Sequence, residues 1–157
     1  MLGHKRCFRM RSERQIEKFY AAWSPRLLAF CCLLLGEGSD AERTVVEAFQ
    51  AYLSRGLDLD FVGPPAFLFI FAMDAAKRAA IPATPEPAEA RRLQDAVVLL
   101  PWRERAVFAL RSAMGLDDMV VGEIAEIPVQ EVRRIWMSAM FRLRKLLPKD
   151  FFPGRKT

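Results

Sequence analysis

The sequence predicts an all-α protein of two small helical domains joined by a proline-rich linker. Three observations lead there. Apolar residues recur at helical spacing along most of the 157 residues, and no stretch sustains the period-two alternation of a half-buried strand. Helix start and stop residues punctuate that pattern. The segment Ile81-Pro82-Ala83-Thr84-Pro85-Glu86-Pro87 places three prolines where a helix cannot continue. These points divide the chain into a basic N-terminal tail (1–14), a first helical domain (15–80), a linker (81–87) and a second helical domain (88–157).

Each element has its own signal. Gln15 to about Trp23 is amphipathic, with Ile16, Phe19 and Tyr20 on one face. Ser24-Pro25 reads as an N-cap followed by proline in the first turn, so a second helix is expected from there to Gly36. Ser39-x-x-Glu42 has the form of a capping box and opens a helix to about Leu53. After Gly63-Pro64-Pro65, the stretch from Ala66 to Ala80 is apolar nearly all round until Asp74, which places that helix centrally. In the second half, helices are expected from Ala88 to Leu100 and from Pro101 to about Met114, ahead of the last two. Leu28, Phe30, Leu34, Val45, Phe49, Phe67 and Phe71 are expected in a core of the first domain. Val107, Leu110, Val121, Val132, Ile135 and Leu143 are expected in a separate core of the second.

Composition narrows the function. The chain is 52% hydrophobic and 27% charged, as in a soluble globular protein, with a net charge of +5. That charge is uneven. From Glu131 to Thr157 there are eight basic residues against two acids, whereas from Glu37 to Asp60 six acids face two arginines. The basic end suits a phosphate backbone, through counterion release. The acidic middle suits a protein partner. The apolar runs Leu27–Leu35 and Pro64–Met73 are too short to span a bilayer, so no membrane association is expected. The cysteines are Cys7, Cys31 and Cys32. Neighbouring helical cysteines diverge by about 100°, and there is no CxxC, so they are expected to be buried, reduced and cytoplasmic. The single histidine, His4, together with Cys7 is too little for a metal site. Without a Gly-rich phosphate loop or a Ser/His/Asp set, no catalytic residue, metal or cofactor is expected. The carboxylate pairs Asp117/Asp118 and Asp58/Asp60 sit at a helix start and in a loop, where capping explains them.

The stretch Asp117 to Trp136, D-D-M-V-V-G-E-I-A-E-I-P-V-Q-E-V-R-R-I-W, fits a helix-turn-helix. Val121, Gly122, Ala125, Ile127, Val132 and Ile135 form its apolar seam. Gly122 permits close approach of the two helices, because it has no Cβ. Pro128 suits the first turn of the second helix. Gln130, Glu131, Arg133 and Arg134 then fall on the early turns of that helix. Gln130 can pair bidentately with adenine, Glu131 can accept from cytosine, and the arginines can reach guanine or phosphate. Arg142, Arg144 and Lys145 are expected along a DNA backbone or on the surface.

These residues carry a family resemblance. Leu99-Leu100-Pro101-Trp102-Arg103-Glu104-Arg105-Ala106-Val107-Phe108-Ala109-Leu110 resembles the opening of the second domain of extracytoplasmic-function sigma factors of bacterial RNA polymerase, and Ile127-Pro128-Val129-x-x-Val132 resembles its recognition helix. Tyr20-x-x-x-x-Pro25-Arg26-Leu27-Leu28, Ala41-Glu42-x-x-x-x-Glu47-Ala48-Phe49 and Ala66-Phe67-Leu68-Phe69-x-Phe71-Ala72 resemble three parts of the first domain. The resemblance implies a region 2-like bundle and a region 4-like helix-turn-helix. It implies core polymerase and promoter DNA as partners, and an anti-sigma protein as a further one. It assigns polymerase docking to Glu42, Glu47, Phe49 and Gln50. It assigns minus-ten melting to Phe67 and Phe69 as base-stacking surfaces with Lys77 and Arg78 on phosphate. It assigns minus-thirty-five reading to Gln130, Glu131, Arg133 and Arg134.

The chain also departs from that family. Arg43 and Val46 stand where Asp and Gln are usual. Ile70, Met73 and Asp74 stand where the melting helix tends to have Arg, Arg and Asn. Gln130-Glu131 replaces Gly-Thr, Ser138-Ala139-Met140 replaces Arg-Ala-Arg, and Glu126 occupies the turn glycine. Each exchange removes a polar or basic contact, or an easy turn. The expected function is promoter-directed transcription initiation. The alternative is a sigma-like interaction module that binds an anti-sigma protein without melting promoters.

Overall fold

The computed structural model describes residues 12–60, 63–79, 90 and 92–151. Seven α-helices follow in order: α1 (Glu13–Leu35), α2 (Ser39–Ser54), α3 (Ala66–Arg78), α4 (Leu93–Val97), α5 (Trp102–Phe108), α6 (Asp118–Ala125) and α7 (Val129–Leu146). A π-helical turn (Ala109–Ala113) extends α5, and a 3-10 turn (Lys149–Phe151) follows α7. No strand occurs among the described residues, so the all-helical expectation holds. The proline segment 81–87 and His4 and Cys7 lie outside the described residues.

Ser24-Pro25 does not start a helix. One helix runs from Glu13 to Leu35, opened by a capping box in which Ser12 Oγ accepts from Gln15 N (3.2 Å) and Gln15 Oε1 from Ser12 N (3.1 Å). Pro25 removes one hydrogen bond, to the Ala21 carbonyl four residues back. Both residues lie on the exposed side of the helix. Phe19, Leu27, Phe30 and Leu34, all buried, lie in one helical stripe across the proline, and burying that stripe outweighs the lost bond. By length and composition α1 could cross a membrane. Its buried stripe is instead covered by α2 and α3.

Other boundaries move for equally local reasons. Ser39 is the first residue of α2, not its cap; Gly38 holds the cap position and no side chain caps the helix. The helix expected over 88–100 is only Leu93–Val97 where described. Pro101 disfavours helical geometry at Leu100 before it, and the carbonyls of Val98 and Leu100 turn instead toward Arg105.

The separate cores are not what the packing shows. One buried cluster takes Phe19, Phe30, Val45, Phe49, Leu68, Phe69 and Met73 together with Val107, Leu110, Val121, Ile124, Val132 and Ile135. A smaller one gathers Ala96, Val97, Leu100, Phe108, Ala139, Leu143 and Leu147. Phe30, Leu34, Val45, Phe49 and Phe71 are buried as expected, and so are all six residues named for the second half. Leu28 and Phe67 are not: each lies one position off a buried stripe, and they are 37% and 53% exposed.

The halves are joined by Arg105. Its side chain is buried and donates to three main-chain carbonyls: Nη1 to Leu34 O (2.7 Å), Nη2 to Val98 O, and Nη2 and Nε to Leu100 O (3.0 and 3.3 Å). Burial holds its pKa below the usual arginine range. Gln94 Nε2 adds a bond to Cys32 O (3.3 Å). Both carbonyls belong to the last turn of α1; Cys32 O also accepts from Gly36 N (2.8 Å), whereas Leu34 O relies on Arg105. Burial, then the neighbouring Cys32, pushes the Cys31 thiol up to about 12.

Two outcomes are expected. Arg105→Met strips the donors from three buried carbonyls, each costing ~1–3 kcal/mol when unpaired, so urea unfolding should show a loss of at least ~3 kcal/mol. Arg105→Lys should recover only part, since one ammonium cannot span all three; a wild-type midpoint for Arg105→Met would remove Arg105 from this role. Cys31 should resist a thiol reagent at neutral pH until the protein is unfolded, and mass spectrometry of the labelled peptides checks this.

Candidate nucleic-acid interface

The helix-turn-helix is built by α6, a short turn and α7. Asp117 caps α6, its carboxylate accepting from Val120 N (3.0 Å), and Arg111 Nε holds Asp118 at 2.8 Å. Capping thus accounts for Asp117, and an ion pair for Asp118. In the other pair, Asp58 Oδ1 accepts from Asp60 N (2.9 Å). In the turn, Ile127 N donates back to Gly122 O (2.9 Å). A Cβ at Gly122 would lie 2.8 Å from the Ile127 carbonyl oxygen, so only glycine fits there. Glu126 takes the left-handed conformation (φ 54°), where the family resemblance has glycine. Pro128 sits at the cap of α7, one residue before the first turn.

The rest of the molecule fixes the back of α7. Val132, Ile135, Ala139 and Leu143 are buried. Glu104, itself buried, accepts from Ser138 Oγ (2.7 Å) and pairs with Arg142 (3.0 Å). Trp136 Nε1 donates to Ser112 Oγ (2.7 Å), and the Arg111 guanidinium lies 4.1 Å from the Trp136 ring centre. Arg142 thus stays on the surface, with its guanidinium paired to Glu104.

What remains outward is the expected reading set. Gln130, Arg133 and Arg134 are exposed and Glu131 is half-buried, all in the first two turns. Arg134 Nη2 lies 3.3 Å from Glu131, so those two largely neutralise each other. Gln130 and Arg133 are the groups best placed to meet a base edge and a phosphate.

The expected melting set does not assemble. Phe69 is buried against Phe30 and Trp23 and offers no stacking surface. Phe67 is exposed and stacks on Phe71, with ring centres 6.2 Å apart. Lys77 and Arg78 share its outward side but sit roughly 15 Å farther along the helix axis. Asp74 lies between, and Arg78 pairs with Glu47 (3.4 Å). The cation beside the aromatic pair is Arg55, 4.4 Å over the Phe71 ring. No sequence spacing points to Arg55, because only the packing of α2 on α3 brings it there.

The polymerase set is also rearranged. Phe49 is buried between Phe19 and Tyr20 and cannot be a surface contact. Glu42 and Gln50 are exposed, and Glu47 is held by Arg78. The outward apolar groups here are Tyr20 and Val46, each about half exposed. Among the described residues no cluster of His, Cys, Asp and Glu could hold a metal ion. No known family model matches the chain, and no functionally curated protein matches it either.

The turn gives a paired test. Gly122→Ala should lose about 1–3 kcal/mol, because the clash is with main chain that cannot swing away. Glu126→Gly should gain about 0.5–1 kcal/mol by relieving a left-handed residue. Thermal unfolding of both variants measures this, and a neutral Gly122→Ala would mean that the helices are not in close approach.

Proposed function

We propose that the protein is a divergent sigma-type initiation factor whose α7 enters the DNA major groove. The carrying observation is the outward pair Gln130 and Arg133 on the first turns of a helix whose opposite side is locked into the core. Base edges are read by the early turns of such a helix, and phosphates by cations beside them. The region 2-like part (15–80) would dock core polymerase through Glu42, Gln50 and their apolar neighbours. The region 4-like part (88–157) would read the minus-thirty-five element. On this reading the protein acts in the cytoplasm, without a cofactor and without catalysis of its own.

A second reading has its own observation. Phe69 and Met73 on the melting helix are buried in a core shared with the second half. This favours a sigma-like module that engages an anti-sigma protein and does not open promoters.

Sequence selection on random duplexes with the full chain distinguishes the two. One class of site should be enriched. Gln130→Ala should cost about 1–3 kcal/mol at one base pair and relax preference there. Arg133→Ala should weaken all sequences and reduce the salt slope by about 1. If nothing is enriched and both substitutions are silent, the second reading replaces the first.

A further inference from the structure

The outward side of α7 changes character along its length. At about 100° per residue, Gln130, Arg134, Met137, Phe141 and Arg144 project opposite the buried Val132, Ile135, Ala139 and Leu143. Met137 is 57% and Phe141 61% exposed, on consecutive turns of one face. Arg133, Arg134, Arg144 and Lys145 flank them, with Lys145 Nζ 4.3 Å from the Phe141 ring centre. From Val132 to Lys149 the sequence contains no acid. Two large apolar side chains in a cationic frame do not help solubility, and the fold does not need them.

Three occupants can be weighed. Met137 and Phe141 lie roughly 10 and 16 Å along the axis from Gln130, beyond the turns that reach bases. A phosphate strand there would be dehydrated by a thioether and a ring that donate no hydrogen bond. A bilayer calls for a broad apolar face, whereas this one is two side chains long and its helix is anchored in the core. An amphipathic helix of a protein meets both features: apolar residues at i and i+4 cover Met137 and Phe141, and carboxylates alongside meet Arg144 and Lys145.

We propose that the Met137–Lys145 part of α7 is a docking strip for an acidic amphipathic helix of a protein partner. It uses neither Gln130 nor Arg133 and does not depend on DNA reading. Apolar contact supplies most of the affinity, and the charges set orientation and salt dependence.

The test is fluorescence anisotropy of the full chain with a synthetic helical peptide of about 18 residues, leucines along one seam and glutamates on both flanks. A peptide of the same composition with scattered leucines, one with lysine for glutamate, anionic phosphatidylglycerol vesicles and a DNA duplex complete the set. The seam peptide should bind at least about tenfold more tightly than the scattered one, and the lysine peptide should not bind. Met137→Ser with Phe141→Ser should weaken the seam peptide about tenfold or more. Arg144→Ala with Lys145→Ala should weaken it about threefold, an effect that fades in salt. All four side chains are exposed, so circular dichroism and melting should stay as in the wild type. Should the serine variant fail to fold, the seam, scattered and lysine peptides still decide the matter on the unmodified chain. Equal binding of seam and scattered peptides, or a folded serine variant that binds normally, overturns the proposal. So does vesicle or duplex binding that depends on Met137 and Phe141 while the seam peptide does not bind.

Discussion

A buried guanidinium with no carboxylate partner among the described residues is the constraint on which the rest of the structure depends. Burying a cation is expensive unless every donor is used, and Arg105 spends its donors on the carbonyls of Leu34, Val98 and Leu100. Leu34 O lies at the negative end of α1, so the helix dipole contributes as well. The result is a junction of three segments: the end of α1, the turn after α4 and the body of α5. The preceding residue works the other way. Glu104 turns from α5 toward Ser138 and Arg142 of α7. Two successive side chains, one basic and one acidic, thus fix α5 between α1 and α7. The position of the helix-turn-helix relative to the first three helices follows from that dipeptide and from the apolar cluster around it.

The interface geometry follows from a second, smaller constraint. α6 and α7 meet so closely at Gly122 that its Cα faces the Ile127 carbonyl directly. The turn between them must be short, and one residue must go left-handed. That residue is Glu126, at a strain of about 1–2 kcal/mol that glycine would avoid. The early turns of α7 are then presented outward while Val132 and Ile135 face inward. Strain in the turn and order on the outward surface are two sides of one arrangement. Trp136 and Ser112 complete it from the flank, so the exposed side chains stand on a helix held at several points along its length.

Much of this was legible in the chain, and the reasons differ by element. Periodicity showed the helices and the inward set of the second half, because burial there follows one apolar face of each helix. Proline misled at Pro25: the local rule for a helix start was sound, but the stripe Phe19, Leu27, Phe30, Leu34 runs through it. That spacing was the better signal. Ser39 misled likewise, since a cap depends on the dihedral angles of one residue and not on a four-residue pattern. At the candidate sites, residue type was legible and exposure was not. Phe67 and Phe69 look alike in sequence, yet two positions on a helix separate an exposed ring from a buried one. Arg55 over Phe71, and the capture of Arg78 by Glu47, arise from packing between helices and leave no trace in either segment alone.

The departures at Ile70 and Met73 gain a physical sense from the shared core. On α3 the side toward α2 carries Phe71 and Arg78, and the side toward α1 carries Phe69. Met73 is buried one turn beyond Phe69, Ile70 is partly buried, and α3 also packs against α6. Polar side chains there would be desolvated without partners, so apolar ones go with a protein whose halves are packed together. A factor that spread these halves along a promoter would have to expose apolar surface of α3 on one side and of α6 on the other. Fully exposing one large apolar side chain costs about 1.5–3 kcal/mol. Several at once approach the whole stability of a small protein, so separation would need a partner that covers the exposed surfaces as they part. Binding that leaves the halves together needs no such compensation. On energetic grounds, then, the outward faces of α2 and α7 are available to partners at once, and the surfaces between α3 and α6 are available only to a partner that replaces what it uncovers.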